Sequence, residues 1–408
     1  MVACILYERI VITMENNATP LTRGEKITEV TKLKIGYVGV GNAGCQVGIK
    51  VSVKGIDTFL VNTSFKDLRD EVIPHGIPSY LIEDKYGKSR GAGRSRDFAK
   101  NLFADSSILD DDTFNNFLKD KDIIIVGAAC SGGTGSGIAP SLCYAISERY
   151  PNKDVTMLGI IPRKNESMNC QFNTADCMEE CRQLEIPYLV YDLDKSNDTA
   201  ETTYVNVANL IAEHIGILSG EMAAMSEYGM IDERDLLTVA VEPGLMIIGK
   251  KTDVKPEGLQ KEILNTIKSS MTVDPQKDKF VKYFALFLEV PEEVADDLKT
   301  NCFDELKEVY GEPWDIFVNY KVVDKSTASF GFIASGMSYP NDRLAYCTDV
   351  VKAYDSKRKS REYNRSDEVE EVAHLSINQN VSKLAGSSDN RVSEGEAKEK
   401  PSFLKARS

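Results

Sequence analysis

The stretch GAACSGGTGSGIAP, residues 127–140, decides the reading of this chain. It follows the apolar run Ile123–Val126 and leads into the apolar Leu142–Ile146, so it is a turn between a buried strand and a helix. An ordinary tight turn needs one or two glycines, whereas this one places four within six residues, at Gly132, Gly133, Gly135 and Gly137. Glycines permit positive φ and close backbone approach, and Ser131, Thr134 and Ser136 add hydroxyls, all at a helix N-terminus where the dipole favours an anion. The segment is read as a phosphate cradle.

Working outward, the pattern before it repeats the same theme. "LKIGYVGV" from Leu33, "GNAGCQVGIKVSV" and "DTFLVN" read as strand, glycine turn with helix, and strand. "DIIIVGA", "VTMLGIIP" and "PYLVYDL" supply three further apolar strands. Buried strands alternating with helices imply a doubly wound α/β domain on a mainly parallel sheet over residues 31–199, its ligand at the carboxyl ends of the strands. A core helix is expected over 200–230, with Val205, Val207, Leu210, Ile211, Ile215, Ile217, Leu218 and Met222 at helical spacing as far as about Ser226. "LMIIGKK", "KYFALFLEV", "WDIFVNYKVV" and "ASFGFIASG", with helices near 256–270 and 292–309, make a smaller α+β domain over 231–345. A C-terminal helix over 346–363 and a mobile polar tail over 364–408 complete the expected organisation. Residues 1–30 read as an N-terminal extension, with Met14 an alternative start.

Two other glycine segments bear on the ligand. Gly39-Val40-Gly41-Asn42-Ala43-Gly44 fits G-x-G-x-x-G between a strand and a helix, a second anion site. A dinucleotide fold also wants an acid ending the next strand, and that strand ends Val61-Asn62-Thr63-Ser64 instead, which disfavours an NAD-dependent oxidoreductase. Gly87-Lys88-Ser89 resembles the end of a P-loop, but its first glycine would fall on Ile82, so the wrap cannot form. What remains there is a basic glycine stretch, GKSRGAGRSR. Two cradles on neighbouring strands suit a nucleoside di- or triphosphate.

Composition narrows the class. The 408-residue chain has 42% hydrophobic and 27% charged residues and a formal charge of -14, which reads as globular and disfavours a broad grip on nucleic acid. Nine scattered cysteines without a CxxC pair are expected to be reduced thiols in a cytoplasm. Cys177-x3-Cys181 reads as helix packing rather than as a metal pair. None of the three histidines, His75, His214 and His374, accompanies a nucleophile motif. No apolar run reaches the roughly 18 to 20 residues of a membrane span, so no direct membrane contact is expected.

On these residues the chain resembles the tubulin/FtsZ superfamily. SGGTGSG (131–137) is similar to its G-G-G-T-G-[ST]-G signature, with Ser131 in place of the first glycine, and GNAGCQVG (41–48) is similar to its first loop. VNTS occupies the place of the second loop, GAGR (91–94) that of the third, and PRKNE puts Glu166 where the family has a ribose-contacting acid. The resemblance spans about residues 33–345. It implies a GTP-binding domain joined through a long core helix to an activation domain, with GTP/GDP and Mg²⁺ as cofactors. Carried over by position, the nucleotide residues are Gly41, Asn42, Ala43, Cys45, Gln46, Asn62, Gly91, Ala92, Gly93, Arg94, Ser131, Gly132, Gly133, Thr134, Gly135, Ser136 and Glu166. Asn206 or Asn209 would read guanine; the two are taken to lie on different faces of the helix, and Asn206 is preferred. No protein metal ligand is assigned, since Ser64 stands where the family has an aspartate. Cys170 stands where it has an arginine.

MIDERDLL (230–237) resembles the catalytic loop N-x-D-x-x-D/E, with Met230 for the asparagine and Asp232 and Asp235 keeping the acidic spacing. In such proteins this loop enters the nucleotide pocket of the next subunit, where two carboxylates position water. The same residues also fit a plain N-cap of the following helix. The resemblance therefore implies a GTPase that polymerises head to tail into cytomotive filaments, most like the TubZ branch that partitions plasmid or phage DNA. A phage spindle protein of the PhuZ type and an FtsZ-like division protein are the alternatives, with a protein that binds GTP without turnover and the oxidoreductase outside that group. The tail, ending KEKPSFLKARS, is expected either to engage a DNA-bound adaptor or to be a solvated end.

Overall fold

The computed structural model describes residues 33–69, 73–74, 76–196, 199–222, 231–269, 281–292, 307–308, 310–337 and 341–368. The strands are β1 (Ile35–Val40), β2 (Thr58–Asn62), β3 (Ser79–Leu81), β4 (Ile123–Ala129), β5 (Asp154–Ile161), β6 (Pro187–Asp192), β7 (Gly244–Val254), β8 (Tyr283–Val290), β9 (Asp315–Val322) and β10 (Ala328–Met337). They form one sheet in the order β3-β2-β1-β4-β5-β6-β7-β10-β8-β9. Every neighbouring pair is parallel except those of β10 with β7 and β8. The chain steps from β6 to β7 by pairing Pro187 with Gly244, so strand pairing continues across the stretch where the sequence suggested a boundary.

The helices are α1 (Gly41–Ser52), α2 (Arg96–Asp105), α3 (Asp112–Lys119), α4 (Thr134–Arg149), α5 (Met168–Gln183), α6 (Ala200–Leu218), α7 (Glu233–Ala240), α8 (Leu259–Ser269) and α9 (Asn341–Glu368). Alternation along each strand sends Val38 and Val40 to one face and Ile35 and Tyr37 to the other. The first face is covered by α2 to α5 and α8, the second by α1, α6 and α7. With both faces covered, strands such as β1 are buried at every position.

α6 ends at Leu218 rather than near Ser226. Gly220 has φ +84°, its N–H reaches the Ile217 carbonyl, and the Glu221 N–H reaches back to Gly216 at 3.0 Å. This is a Schellman stop, which the apolar periodicity running past it concealed. α9 is longer than expected in both directions, because Asn341–Glu368 contains no glycine or proline. Most of the expected helix over 292–309 (293–306 and 309), the N-terminal extension, Met230, His75 and the tail beyond 368 lie outside the described residues. No described helix is long and apolar enough to cross a membrane.

Cys177 and Cys181 are fully buried in the core between sheet and helices, and no metal-binding cluster exists among the described residues. His214 is likewise a core residue, its Nδ1 2.6 Å from the Tyr191 hydroxyl, and burial lowers its pKa to about 3.

Candidate functional site

A cleft of about 380 Å³ opens at the carboxyl ends of the parallel strands. That is ligand-sized. Its walls are Val40, Gly41, Asn42 and Ala43 after β1; Asn62, Ser64 and Asp67 after β2; Gly91 and Arg94; Ala129, Ser131, Gly132, Gly133, Thr134 and Gly135 after β4; Glu166 and Cys170; and Tyr204 from α6. The loops thus converge where a doubly wound sheet places its ligand.

α1 and α4 both start at this cleft without a side-chain cap and without an acid in the first turn. α5 is likewise uncapped, whereas α2, α3, α6 and α7 are capped by Ser95, Asp111, Thr199 and Asp232. The N-termini of α1 and α4 keep free N–H groups and positive dipole ends at the glycine loops of the cleft, which is the donor set an anionic polyphosphate needs. The glycines make this approach possible. A Cβ on Gly41, whose φ is +72°, would lie 2.9 Å from the Gly135 nitrogen, and one on Gly133 would lie 2.7 Å from the Ser95 nitrogen.

The loops are tied to one another by side chains. Thr63 and Thr134 share a hydroxyl hydrogen bond of 2.7 Å. Asn62 accepts from the Thr63 and Ser64 N–H groups, while its Nδ2 reaches the Asp67 carboxylate at 3.3 Å. Gly91 donates to the Thr63 carbonyl. Asn173 on α5, 2% exposed, donates to the carbonyls of Arg94, Ser131 and Gly132 at 3.1 to 3.2 Å. Three carbonyl oxygens around one amide fix which end is the NH₂.

A second tie follows from Pro140. Inside α4 it has no N–H to give the carbonyl four residues back, that of Ser136. Buried Arg96 takes that acceptor with Nε and Nη2 at 3.2 and 3.1 Å, and Nη2 also meets Glu180 of α5 at 2.6 Å. One guanidinium thereby ties the starts of α2 and α4 to the last turn of α5 behind the cleft.

The residues predicted from the sequence divide accordingly. Gly41, Asn42, Ala43, Asn62, Gly91, Arg94, Ser131, Gly132, Gly133, Thr134, Gly135 and Glu166 line the cleft together. Others lie outside its wall. Cys45 is fully buried, its thiol near the Gly39 and Val61 carbonyls and its pKa pushed up to about 12 by burial. Gln46 is half-buried on α1, Ala92 belongs to the core, and Gly93 is an exposed turn residue with φ +57°. The Ser136 hydroxyl is spent on the Gly132 carbonyl. Asn206 and Asn209 are both exposed on α6 and neither lines the cleft. Three residues apart on a helix, they share one side, so periodicity does not separate them.

Sequence reasoning missed Asp67 and Tyr204. Asp67 sits three residues past the position where an acid was sought, in a short 3-10 turn that swings it back to the cleft. Tyr204 is half-buried, and burial and the nearby Glu166 raise its hydroxyl pKa. The available signal was an aromatic residue early in α6, at i, i+4, i+7 spacing with buried Ala208 and Ile211.

Asp232 and Asp235 are elsewhere. They form a reciprocal capping box at the start of α7: the Asp235 N–H donates to Asp232 at 2.9 Å and the Asp232 N–H to Asp235 at 3.1 Å. α7 feeds into Gly244, which pairs with the first residue of β6, so these acids lie at the amino end of the sheet. A strand of β4's 7 residues separates the two ends by about 20 Å. The pair cannot serve the cleft of its own chain. Asp235 is half-buried, and burial foremost, then the charges of Asp232 and Asp315, raise its pKa against a lowering hydrogen bond from the Asp232 backbone.

Comparisons with known proteins agree with this geometry. No family model matches the chain. It is 21% identical over 302 residues to the cell division protein FtsZ of Aquifex aeolicus, covering 69% of this chain and 78% of that one. It is 25% identical over 239 residues to the tubulin-like protein TubZ of Clostridium botulinum C phage, covering 55% of this chain but only 62% of the relative. Among solved structures, the GTPγS-form protofilament of Bacillus thuringiensis serovar israelensis TubZ has the same fold, with a TM-score of 0.63 at 17% identity over 82% of this chain and 95% of that one.

Proposed function

We propose, for a chain that belongs to the tubulin-like superfamily, a GTPase whose active site is completed only when copies assemble head to tail. The observation that carries this reading is the division of labour across one sheet. A phosphate-binding cleft stands at its carboxyl end and two spaced carboxylates at its amino end, too far apart to meet within a chain.

In this reading the uncapped N-termini of α1 and α4 hold the phosphates of GTP, Gly91 and Arg94 close over them, and Glu166 and Tyr204 face the nucleoside. Magnesium, if bound with the triphosphate, would supply charge neutralisation there. Asp67 and Thr134, whose hydroxyl pairs with that of buried Thr63, are the cleft groups that would suit its coordination shell, a hard cation favouring oxygen ligands and retaining water. Asp232 and Asp235 of a second copy then orient the attacking water. The γ-phosphoryl group passes to it and GDP leaves. Because the capping box occupies one oxygen of each carboxylate, it holds the acids in place while leaving the second oxygen of each outside the box.

Dynamic filaments follow, since each junction carries its own hydrolysis site. The proposed use of such filaments is positioning plasmid or phage DNA, supported by the similarity to a phage TubZ, with the tail as the segment that meets a DNA-bound adaptor. Sedimentation with GTP, GTPγS, GDP or ATP tests the reading. GTP and GTPγS should pellet the protein and GDP and ATP should not, and Asp235→Ala should form filaments with GTP that persist without releasing phosphate. Equal pelleting in all nucleotides, or full turnover by Asp235→Ala, would overturn it.

A further inference from the structure

Trp314 is the chain's single tryptophan, and it is 80% exposed. An indole is a large apolar surface to leave in water, and exposed aromatics of this kind concentrate at contact surfaces. Its location adds meaning. Trp314 stands directly before β9, where its N–H donates to the Lys282 carbonyl at 2.8 Å, joined by the Asp315 N–H at 3.3 Å. β9 runs parallel to β8, and both run with β7, so Trp314 lies at the amino end of the sheet. That is the end carrying Asp232 and Asp235. Lys282 makes the connection physical: its ammonium pairs at 2.7 Å with Glu242, two residues beyond α7. Asp315 is also near enough to Asp235 for their charges to interact.

The two ends of the sheet differ in charge. Exposed Asp232, Glu312 and Asp315 lie near Trp314 and α7, and although Arg234 is exposed on α7 and Lys307 pairs with Glu312 at 2.7 Å, acids predominate there. At the opposite end, the loop from Lys85 to Arg94 presents Lys85, Lys88, Arg90 and Arg94, all exposed, and contains no acid. Two exposed aromatics flank the cleft there, Phe65 at 57% and Tyr86 at 70%. An acidic end bearing one aromatic and a basic end bearing two are complementary between copies, not within one.

We propose that the corner formed by Trp314 and Asp315 is a subunit contact: it seats against the cleft-side face of a second copy, next to that copy's basic loop, and aligns Asp235 with the neighbouring cleft. This rests on the head-to-tail reading above and names the residue that anchors it. The interface is heterologous, since the surface it uses on one copy differs from the one it meets on the next.

The single tryptophan allows a direct test in the whole chain. Its emission and its quenching by acrylamide are followed while light scattering records assembly on addition of GTP. The emission should shift to the blue and quenching should fall in step with scattering, with no change in GDP. Trp314→Ala should raise the critical concentration on the order of tenfold or more, the size expected of a central interface aromatic. Its binding of a fluorescent GDP analogue as a monomer should stay unchanged, and that measurement also confirms folding. Trp314→Lys, damaged at one end only, should cap wild-type filaments when added in small proportion. A wild type that assembles while its tryptophan stays fully quenchable, together with Trp314→Ala assembling at the wild-type threshold, overturns the proposal and leaves the polymer reading standing. A wild type that never scatters with GTP overturns both.

Discussion

Replacing Asn173 with alanine should loosen the cleft without touching any residue that lines it. The amide has two hydrogens shared among three carbonyls, those of Arg94, Ser131 and Gly132. Two net hydrogen bonds near the upper end of the usual range, about 1–1.5 kcal/mol each, give a loss of about 2–3 kcal/mol, the Arg94 and Gly132 carbonyls keeping Asn169 and the Ser136 hydroxyl as donors. Part of this falls on global stability. The remainder appears in binding, because the two loops that Asn173 clamps must then be ordered by the nucleotide itself. If about half is felt there, affinity drops by about tenfold. Asn169→Ala is the matched control, since Asn169 donates to the same Arg94 carbonyl at 3.2 Å but from an exposed position and to no other loop. Titration with a fluorescent GDP analogue, run beside a thermal melt, reads both quantities. An Asn173→Ala protein that melts early but binds as tightly as wild type would refute the clamp and reduce Asn173 to a packing residue.

Three other perturbations follow from the same structure. Gly44→Ala places a Cβ 2.3 Å from the Gly127 carbonyl oxygen, between β4 and α1, and should destabilise the fold by more than about 2 kcal/mol, whereas Gly55→Ala, with open space around it but φ +84°, should cost only about 1 kcal/mol in a denaturant melt. His214 stays neutral in the fold, with a pKa of about 3 against an unfolded value of about 6.5, so its contribution is complete above pH 6.5 and is lost as pH falls below that, by about 1.4 kcal/mol per pH unit; His214→Phe should flatten the fall in melting temperature between pH 6.5 and 5, and an unchanged slope would contradict this. Asp67→Asn should weaken the Mg²⁺ dependence of GTP binding while leaving binding in EDTA unaltered, and Ser64→Asp added to it should restore part of that dependence; equal Mg²⁺ dependence in wild type and Asp67→Asn would remove Asp67 from the cation's surroundings.

The parts of this molecule that were legible in the sequence are those in which a residue type carries its own structural demand. Glycines at 41, 133 and 135 pointed to tight approach, and the apolar runs of β1, β4 and Met157–Ile161 in β5 pointed to strands covered on both sides. The parts that were not legible depend on partners distant in sequence. Pro140 leaves the Ser136 carbonyl without its helical donor, and nothing in the sequence said that Arg96 would supply one. Asn173 drew no notice in the sequence because its acceptors are backbone oxygens of two other loops. Asp67 escaped notice because the spacing pointed to Ser64, and a single 3-10 turn displaced the acid by three residues. In α6 the apolar stripe concealed both the Schellman stop at Gly220 and the aromatic that faces the cleft. For Asp232 and Asp235 the sequence offered both an N-cap and a catalytic pair; the structure shows the cap, and the catalytic role remains the proposal made above.

The claim on which the account turns is that one copy's cleft needs another copy's acids. The measurement that tests it most directly is the rate of phosphate release per subunit from GTP as protein concentration is raised. A shared site predicts almost no turnover below a threshold and a steep rise above it, coincident with assembly. Turnover per subunit that is the same at every concentration would place a complete active site within a single chain and contradict the account.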